Sequence, residues 1–240
     1  MLRIFFVSSF VSNFVPGVAA DMYRAYALAR QDVQLAESTA SVLMDRVLGV
    51  LSMVIVGAVA LLAAPDIGVG RAVLAGLGIA CAACAAAAMV VFSERAAMTA
   101  LAVINVLPSR WLHRVSASLM DAVRRYAHHH GELARVLVMS IAVQVLRILQ
   151  AWCLGVALGL ALPLAAYFVF VPIILVIMQI PITVNGFGTT QVAFERLFVP
   201  AGAAAPAVVA LSFLFLILGM VGTLPGALLY ASTAPAQSRV

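Results

Sequence analysis

Long apolar runs separated by short polar sections dominate the pattern along the chain. Residues 47–64 and 72–92 each contain no charged side chain, and the runs 136–162, 164–182 and 203–231 are comparably apolar. A bilayer hydrocarbon core of about 30 Å requires about 20 helical residues. The pattern therefore predicts five membrane-spanning helices.

Two further apolar stretches, residues 4–18 and 187–199, are too short to span. Segments of this length are more often re-entrant or interfacial, and broken backbone at membrane depth must be buried in protein or line a wet cavity. We therefore expect an all-α fold. It would be a polytopic transmembrane helix bundle with about five full spans and two short re-entrant or broken segments, forming a single transmembrane domain over residues 1–240.

The composition excludes a water-soluble domain. Hydrophobic residues make up 65% of the chain and charged residues 10%, whereas soluble domains carry roughly 25% charged residues. The formal net charge of +5 could indicate an anionic partner such as nucleic acid. In a membrane protein, however, excess arginine reports loop orientation. We predict a multi-pass protein of the cell membrane, in bacteria the inner membrane, with no nucleic-acid partner.

Residues 93–135 form the one substantial hydrophilic section, with six arginines against three acidic residues. Its apolar residues recur at helical spacing, which predicts an amphipathic helix. The positive-inside rule places this section in the cytoplasm and residues 65–71 outside. Consecutive helical residues point about 100° apart, so the His128–His130 triplet is not a typical metal site. We expect no metal and no cofactor.

Charged residues inside or beside the spans are the first candidates for function. Asp45 and Arg46 open the first span; they either mark the membrane interface, where arginine can snorkel, or face the bundle interior near a substrate path. Arg147 lies near the middle of its span, where a charge costs roughly 2.5–3.5 kcal/mol, and Gln144 shares its helix face. We expect Arg147 to point into the bundle. It would either form an ion pair, with Asp45 or Glu195, or contact an anionic substrate such as a lipid phosphate.

Two interrupted segments of similar character are the second candidates. One contains Pro16 and Gly17, the other Pro181, Gly186 and Gly188. Paired interruptions of this kind are typical of transport sites near the membrane midplane, and helix N-termini favour anionic groups. We expect the two segments to meet in one polar cavity. The predicted substrate-binding residues are Asn13, Asp21, Arg24, Asp45, Arg46, Arg147, Asn185, Gly186, Gly188, Gln191 and Glu195.

Four runs carry a resemblance to a known family: FFVSSFVSNFVPGVAADMYRAYALAR, ASVLMDRVLGVLSMV, IPITVNGFGTTQVAFERLF and LPGALLYA. The chain resembles the lysylphosphatidylglycerol synthase transmembrane region, which is the flippase-like domain family. The resemblance covers nearly the whole chain. The chain departs from the family pattern at Thr190-Gln191, where the family commonly has Arg-Glu. The family also usually has about two further spans before the first of these runs. Two explanations are open: the chain is an N-terminally truncated fragment, or its start is assigned too late.

The resemblance implies a membrane domain that handles or translocates a lipid with an anionic or modified headgroup, with membrane lipids as its partners. The family's synthases carry a soluble aminoacyl-transfer domain after the membrane region. This chain ends at Val240, about ten residues past its last predicted span, so we expect no synthase activity. The alternative is a non-transporting scaffold or accessory subunit for a lipid- or glycan-modifying enzyme. An intramembrane enzyme is a third possibility, for which the spans offer no catalytic arrangement.

Overall fold

The described part of the chain is helical, with no strand. The computed structural model describes residues 35–64, 78–79, 82, 86, 99, 130–179, 183 and 186–224. Within these ranges lie the helices α1 (Leu35–Ala63), α2 (His130–Ala157), α3 (Leu164–Met178), α4 (Thr189–Phe198) and α5 (Ala205–Val221). The predicted all-α class is confirmed.

Helices α1 and α2 are long and apolar enough to cross a membrane. The candidate spans within them are Met44–Ala63, with 20 residues, and Gly131–Ala157, with 27. At about 1.5 Å per residue, each covers the roughly 30 Å of a hydrocarbon core. They correspond to the first and third predicted spans. Most of the second predicted span, except residues 78–79, 82 and 86, and nearly all of the section 93–135 lie outside the described residues.

Helices α3 and α5 are shorter than the apolar runs that predicted them. Helix α3 has 15 residues and α5 has 17, which gives lengths of about 22 and 26 Å. Helix α3 ends just before Pro181, which has no N–H to donate and disfavours helix in the residue before it. Helix α5 ends at a turn that begins with Gly222, three residues before Pro225.

Helix α4 is too short to span, as the sequence predicted for residues 187–199. Its ten residues extend about 15 Å. One face is apolar and buried, with Phe194 and Phe198 fully enclosed, whereas Glu195 and Arg196 are exposed. The helix is therefore a packed element of the bundle with one polar edge.

Aromatic side chains fill the centre of the bundle between α3, α4 and α5. The Phe198 ring centroid lies 5.1 Å from that of Tyr167, 5.2 Å from that of Phe170 and 5.3 Å from that of Phe194. Phe194 also contacts Phe215 of α5 at 5.6 Å. Edge-to-face and offset contacts at these distances are the favoured aromatic geometries. The interior at this point is solidly packed.

Two contacts establish the relative directions of the first three helices. Gly155, near the end of α2, lies so close to Tyr167, near the start of α3, that a Cβ atom would overlap the tyrosine hydroxyl. Arg46, in the first half of α1, bonds to Gln179 at the end of α3. From these contacts we infer that α3 runs antiparallel to α2 and to α1, so that α1 and α2 run in the same direction.

Candidate functional site

A hydrogen bond between Arg46 and Gln179 connects α1 to the end of α3. The Arg46 Nη1 atom donates to Gln179 Oε1 at 2.6 Å. Arg46 is half-buried and Asp45 is exposed, because adjacent helical residues point about 100° apart. The sequence allowed the pair either to mark the membrane interface or to face the bundle interior. In the structure Arg46 faces its neighbour helix, whereas Asp45 lies on the outer side.

Gln179 is a site residue that the sequence reasoning missed. Its side chain lies at the C-cap of α3, 133 residues from Arg46 in the sequence. The available signal was an amide side chain in an otherwise almost wholly apolar run, two residues before Pro181. That pattern alone does not identify Arg46 as the residue that Gln179 contacts.

The turn before α4 depends on two glycines in the left-handed region. Gly186 has φ of 74° and Gly188 has φ of 88°, values that side chains with a Cβ atom rarely adopt. Gly188 is the N-cap of α4, and its N–H donates to Gln191 Oε1 at 2.7 Å. Thr189 Oγ1 donates to the Gly186 carbonyl at 3.0 Å and shares a 3.1 Å hydrogen bond with Thr183. The glycines and the capping side chains together define the start of α4.

This turn packs directly against the end of α3. A Cβ atom at Gly186 would lie 2.8 Å from Thr190 Oγ1 and 3.2 Å from Met178 Cε. Met178 is the residue before Gln179, so the N-terminus of α4 and the Arg46–Gln179 bond are neighbours in the fold. The predicted residues Arg46, Gly186, Gly188 and Gln191 are thereby brought to the same end of the bundle.

Several buried polar atoms in this region have no hydrogen-bond partner among the residues that the structure describes. They are Thr190 Oγ1 and Gln191 Nε2 on α4, and Gln144 Oε1 on α2. Thr190 is fully buried, and Gln144 is 5% exposed. A buried polar group without a partner costs about 1–3 kcal/mol. These atoms therefore have unused hydrogen-bonding capacity that a ligand could satisfy.

We infer from helix geometry that Gln144 lies at about the same depth as Gln179. The contact of Gly155 with Tyr167 aligns α2 with α3, and Gln179 follows Tyr167 by 12 residues, or about 18 Å along α3. Counting the same length back from Gly155 along α2 leads to Val143, beside Gln144. We use the name polar layer for the five residues Arg46, Gln144, Gln179, Thr190 and Gln191.

Arg147 does not point into the bundle as predicted. Its side chain is exposed, and the ion pairs predicted for it, with Asp45 or Glu195, are absent from the described part of the chain. The reason is helical geometry. Gln144 and Ile148 face the neighbouring helices and are buried, whereas Arg147 lies at the border of that face. It is about one turn from the polar layer along α2.

The remaining predicted site residues divide into two groups. Glu195 lies one turn beyond Gln191 on α4 and is exposed, outside the polar layer. Asn13, Asp21, Arg24 and Asn185 lie outside the described residues. The predicted meeting of the two interrupted segments in one cavity therefore stays a prediction.

The polar layer offers hydrogen-bond donors and a permanent positive charge. Arg46 supplies a guanidinium, Thr190 a hydroxyl and Gln191 an amide N–H₂ group. Across the described residues, no group of three or more His, Cys, Asp or Glu side chains is placed to hold a metal ion. The layer is therefore suited to binding an anion by hydrogen bonds.

A family comparison covers almost the whole chain. Residues 1–226 match the family described as Lysylphosphatidylglycerol synthase TM region. No curated protein matches the chain, and no solved structure does so. The match includes all five described helices and every residue of the polar layer. The chain is therefore a membrane protein that belongs to the lysylphosphatidylglycerol synthase transmembrane-region family.

Proposed function

We propose that this protein binds the anionic headgroup of a membrane lipid in the polar layer and translocates that lipid between the two leaflets. One observation supports this most directly. The Arg46–Gln179 bond lies beside the N-terminus of α4, where Thr190 and Gln191 have buried polar atoms with no partner in the described part of the chain. The family supports the lipid-related character of the protein, and the identity of the ligand is our proposal.

The donors of the polar layer match the chemistry of a lipid phosphate. Arg46 donates one hydrogen bond to Gln179 Oε1, and its guanidinium has five N–H donors in a planar fork. The N-terminus of α4 adds the partial positive charge of a helix end. The Gln144 carbonyl oxygen is an acceptor without a described partner. It suits an amine or hydroxyl group on the same headgroup.

The surroundings of the layer favour a lipid over a free anion. Phe187, between the two glycines, is 47% exposed, and Val192 on α4 is 56% exposed. Phe187 contacts Phe213 of α5 with ring centroids 6.0 Å apart. Acyl chains lying against these side chains would keep the ligand in the bilayer while its headgroup enters the layer.

The proposal includes a multi-pass topology and a non-enzymatic role. The five predicted spans would place the end of α3 and the start of α4 on the cytoplasmic side, with the arginine-rich section 93–135. Within this proposal the domain itself catalyses no covalent step, and its partners are membrane lipids.

Lipids that copurify with the protein test the binding step. The wild type and the variants Arg46→Gln and Arg196→Gln would be purified in mild detergent, and the bound lipids quantified by mass spectrometry. Both variants remove one positive charge, but Arg196 is exposed on the far end of α4. We expect anionic lipids to be enriched with the wild type and with Arg196→Gln, and to be lost with Arg46→Gln.

Two results would contradict the proposal or the site assigned to it. A lipid composition equal to that of the bulk membrane in the wild type would contradict the proposal and favour the scaffold or accessory-subunit role. Equal enrichment with Arg46→Gln would contradict the assignment of the polar layer as the binding site.

A further inference from the structure

Helix α2 carries a line of polar side chains through its apolar segment. Ser140, Gln144, Arg147 and Gln150 follow one another at spacings of four, three and three residues, which places them along one edge of the helix. From Ser140 to Gln150 the edge extends about 15 Å, half of a hydrocarbon core. We call these four residues the polar edge.

The polar edge lies at the border between the packed and the exposed faces of α2. Gln144 is buried, Ser140 and Gln150 are half-buried, and Arg147 is exposed. On the packed side, Ile148 is fully buried. On the other side, the apolar residues of the helix face outward.

Two of these polar groups have no partner among the residues that the structure describes. Gln144 Oε1 is buried without a partner, and no described carboxylate pairs with Arg147. Polar and charged groups inside a membrane are expensive, and they typically mark the path of a substrate or ion. The polar edge is therefore a candidate for such a path.

The described part of the interior is closed by apolar side chains. Beyond the polar layer, the space between α3 and α4 is filled by Tyr167, Phe194 and Phe198, all fully buried. Ile148 and Ala151 close the inner side of α2 in the same way. Among the described residues of α2, the polar side chains next to the layer lie at the outer border of the helix.

We propose that the polar edge of α2 is the route along which the lipid headgroup crosses the centre of the membrane. This inference rests on the proposed function. Gln144 belongs to both the polar layer and the polar edge, so the route begins where the headgroup is bound. Arg147, about one turn from Gln144 along α2, would bind the phosphate as it leaves the layer. The acyl chains stay in the bilayer, because this side of α2 is open.

Transfer of a fluorescent lipid in proteoliposomes tests the route. The probe is phosphatidylglycerol with a nitrobenzoxadiazole group on one acyl chain, and dithionite bleaches only the label in the outer leaflet. The variant is Arg147→Leu, and Leu146→Ala is its control at the same depth, because Leu146 is 66% exposed. We expect transfer to slow roughly tenfold or more in Arg147→Leu, since each factor of ten corresponds to about 1.4 kcal/mol of barrier. We expect it to be unchanged in Leu146→Ala and to recover partly in Arg147→Lys.

A second variant keeps the test informative if Arg147→Leu folds poorly. Gln144→Leu replaces a buried acceptor without a described partner by an apolar side chain of similar size, so thermal stability should not fall. Transfer should still slow. If Gln144→Leu lowers stability and leaves the transfer rate of the folded protein unchanged, Gln144 is structural and the route is overturned.

The outcomes separate the route from the proposed function. If the wild type transfers the probe and Arg147→Leu does so equally fast, the route is wrong and the proposed function stands. If the wild type gives no transfer above protein-free liposomes, translocation itself is contradicted, and the route with it. Slow transfer in Arg147→Leu with unchanged copurified lipid supports the route specifically.

Discussion

At the scale of single residues, some side-chain atoms of the site form the turn before α4, and other atoms of the same or neighbouring side chains have no described partner. Gln191 uses its carbonyl oxygen to cap Gly188, while its amide nitrogen has no described partner. Thr189 bonds back to Gly186, while the hydroxyl of its neighbour Thr190 is buried without a described partner. The groups that build the turn and the groups available to a ligand are therefore different atoms, and substitutions can separate them.

The variant Thr190→Val separates folding from binding. Valine has nearly the shape of threonine and lacks the hydroxyl, which has no described partner. We therefore expect thermal stability in detergent to be unchanged or slightly higher, and anionic lipid to be depleted in the copurified fraction. A clear fall in stability would show that the hydroxyl is used by the fold.

The two glycines before α4 are expected to differ in their sensitivity to alanine. A Cβ atom at Gly188 meets nothing within 4 Å, so Gly188→Ala introduces only the cost of its positive φ, about 1–2 kcal/mol. Gly186→Ala adds close contacts with Thr190 and Met178 and should destabilise the protein more. Thermal unfolding of both variants checks this order. Gly49→Ala, in the interior of α1 with open space around it, is the control and should not destabilise.

At the scale of the helices, the sequence was a good guide to which segments are helical. It was a poorer guide to where the helices end and which helices contact one another. Long apolar runs were enough to predict α1 and α2, because helices satisfy their own backbone hydrogen bonds within a membrane. Pro181 marks the early end of α3, a signal present in the sequence but outweighed by the apolar run. The Arg46–Gln179 bond joins residues 133 positions apart, and no local pattern contains that information.

The packing of α2 on α3 gives a further prediction at this scale. Gly155→Ala would place a Cβ atom on the Tyr167 hydroxyl, and overpacking of this kind costs about 1–3 kcal/mol. The hydroxyl has no described partner, so Tyr167→Phe alone should be nearly neutral. The double variant should be more stable than Gly155→Ala alone, as measured by thermal unfolding of all four proteins. Strict additivity would contradict the contact.

At the scale of the whole molecule, the described helices combine an aromatic interior with the polar layer at one end and the polar edge on α2. The sequence predicted four of the residues found at that end, namely Arg46, Gly186, Gly188 and Gln191, because charges and glycines in apolar runs are conspicuous. It placed Arg147 in the interior, because periodicity alone does not distinguish the packed face of a helix from its border. Family membership agrees with a lipid-related role for this arrangement.

The most direct measurement is an experimental structure of the protein in nanodiscs that contain phosphatidylglycerol. We expect a lipid phosphate within hydrogen-bonding distance, about 3 Å, of the Arg46 guanidinium and of the first turn of α4. The acyl chains should lie against the outer face of the bundle near Phe187. A polar layer without a lipid headgroup, in a structure where other lipids are well resolved, would contradict the account.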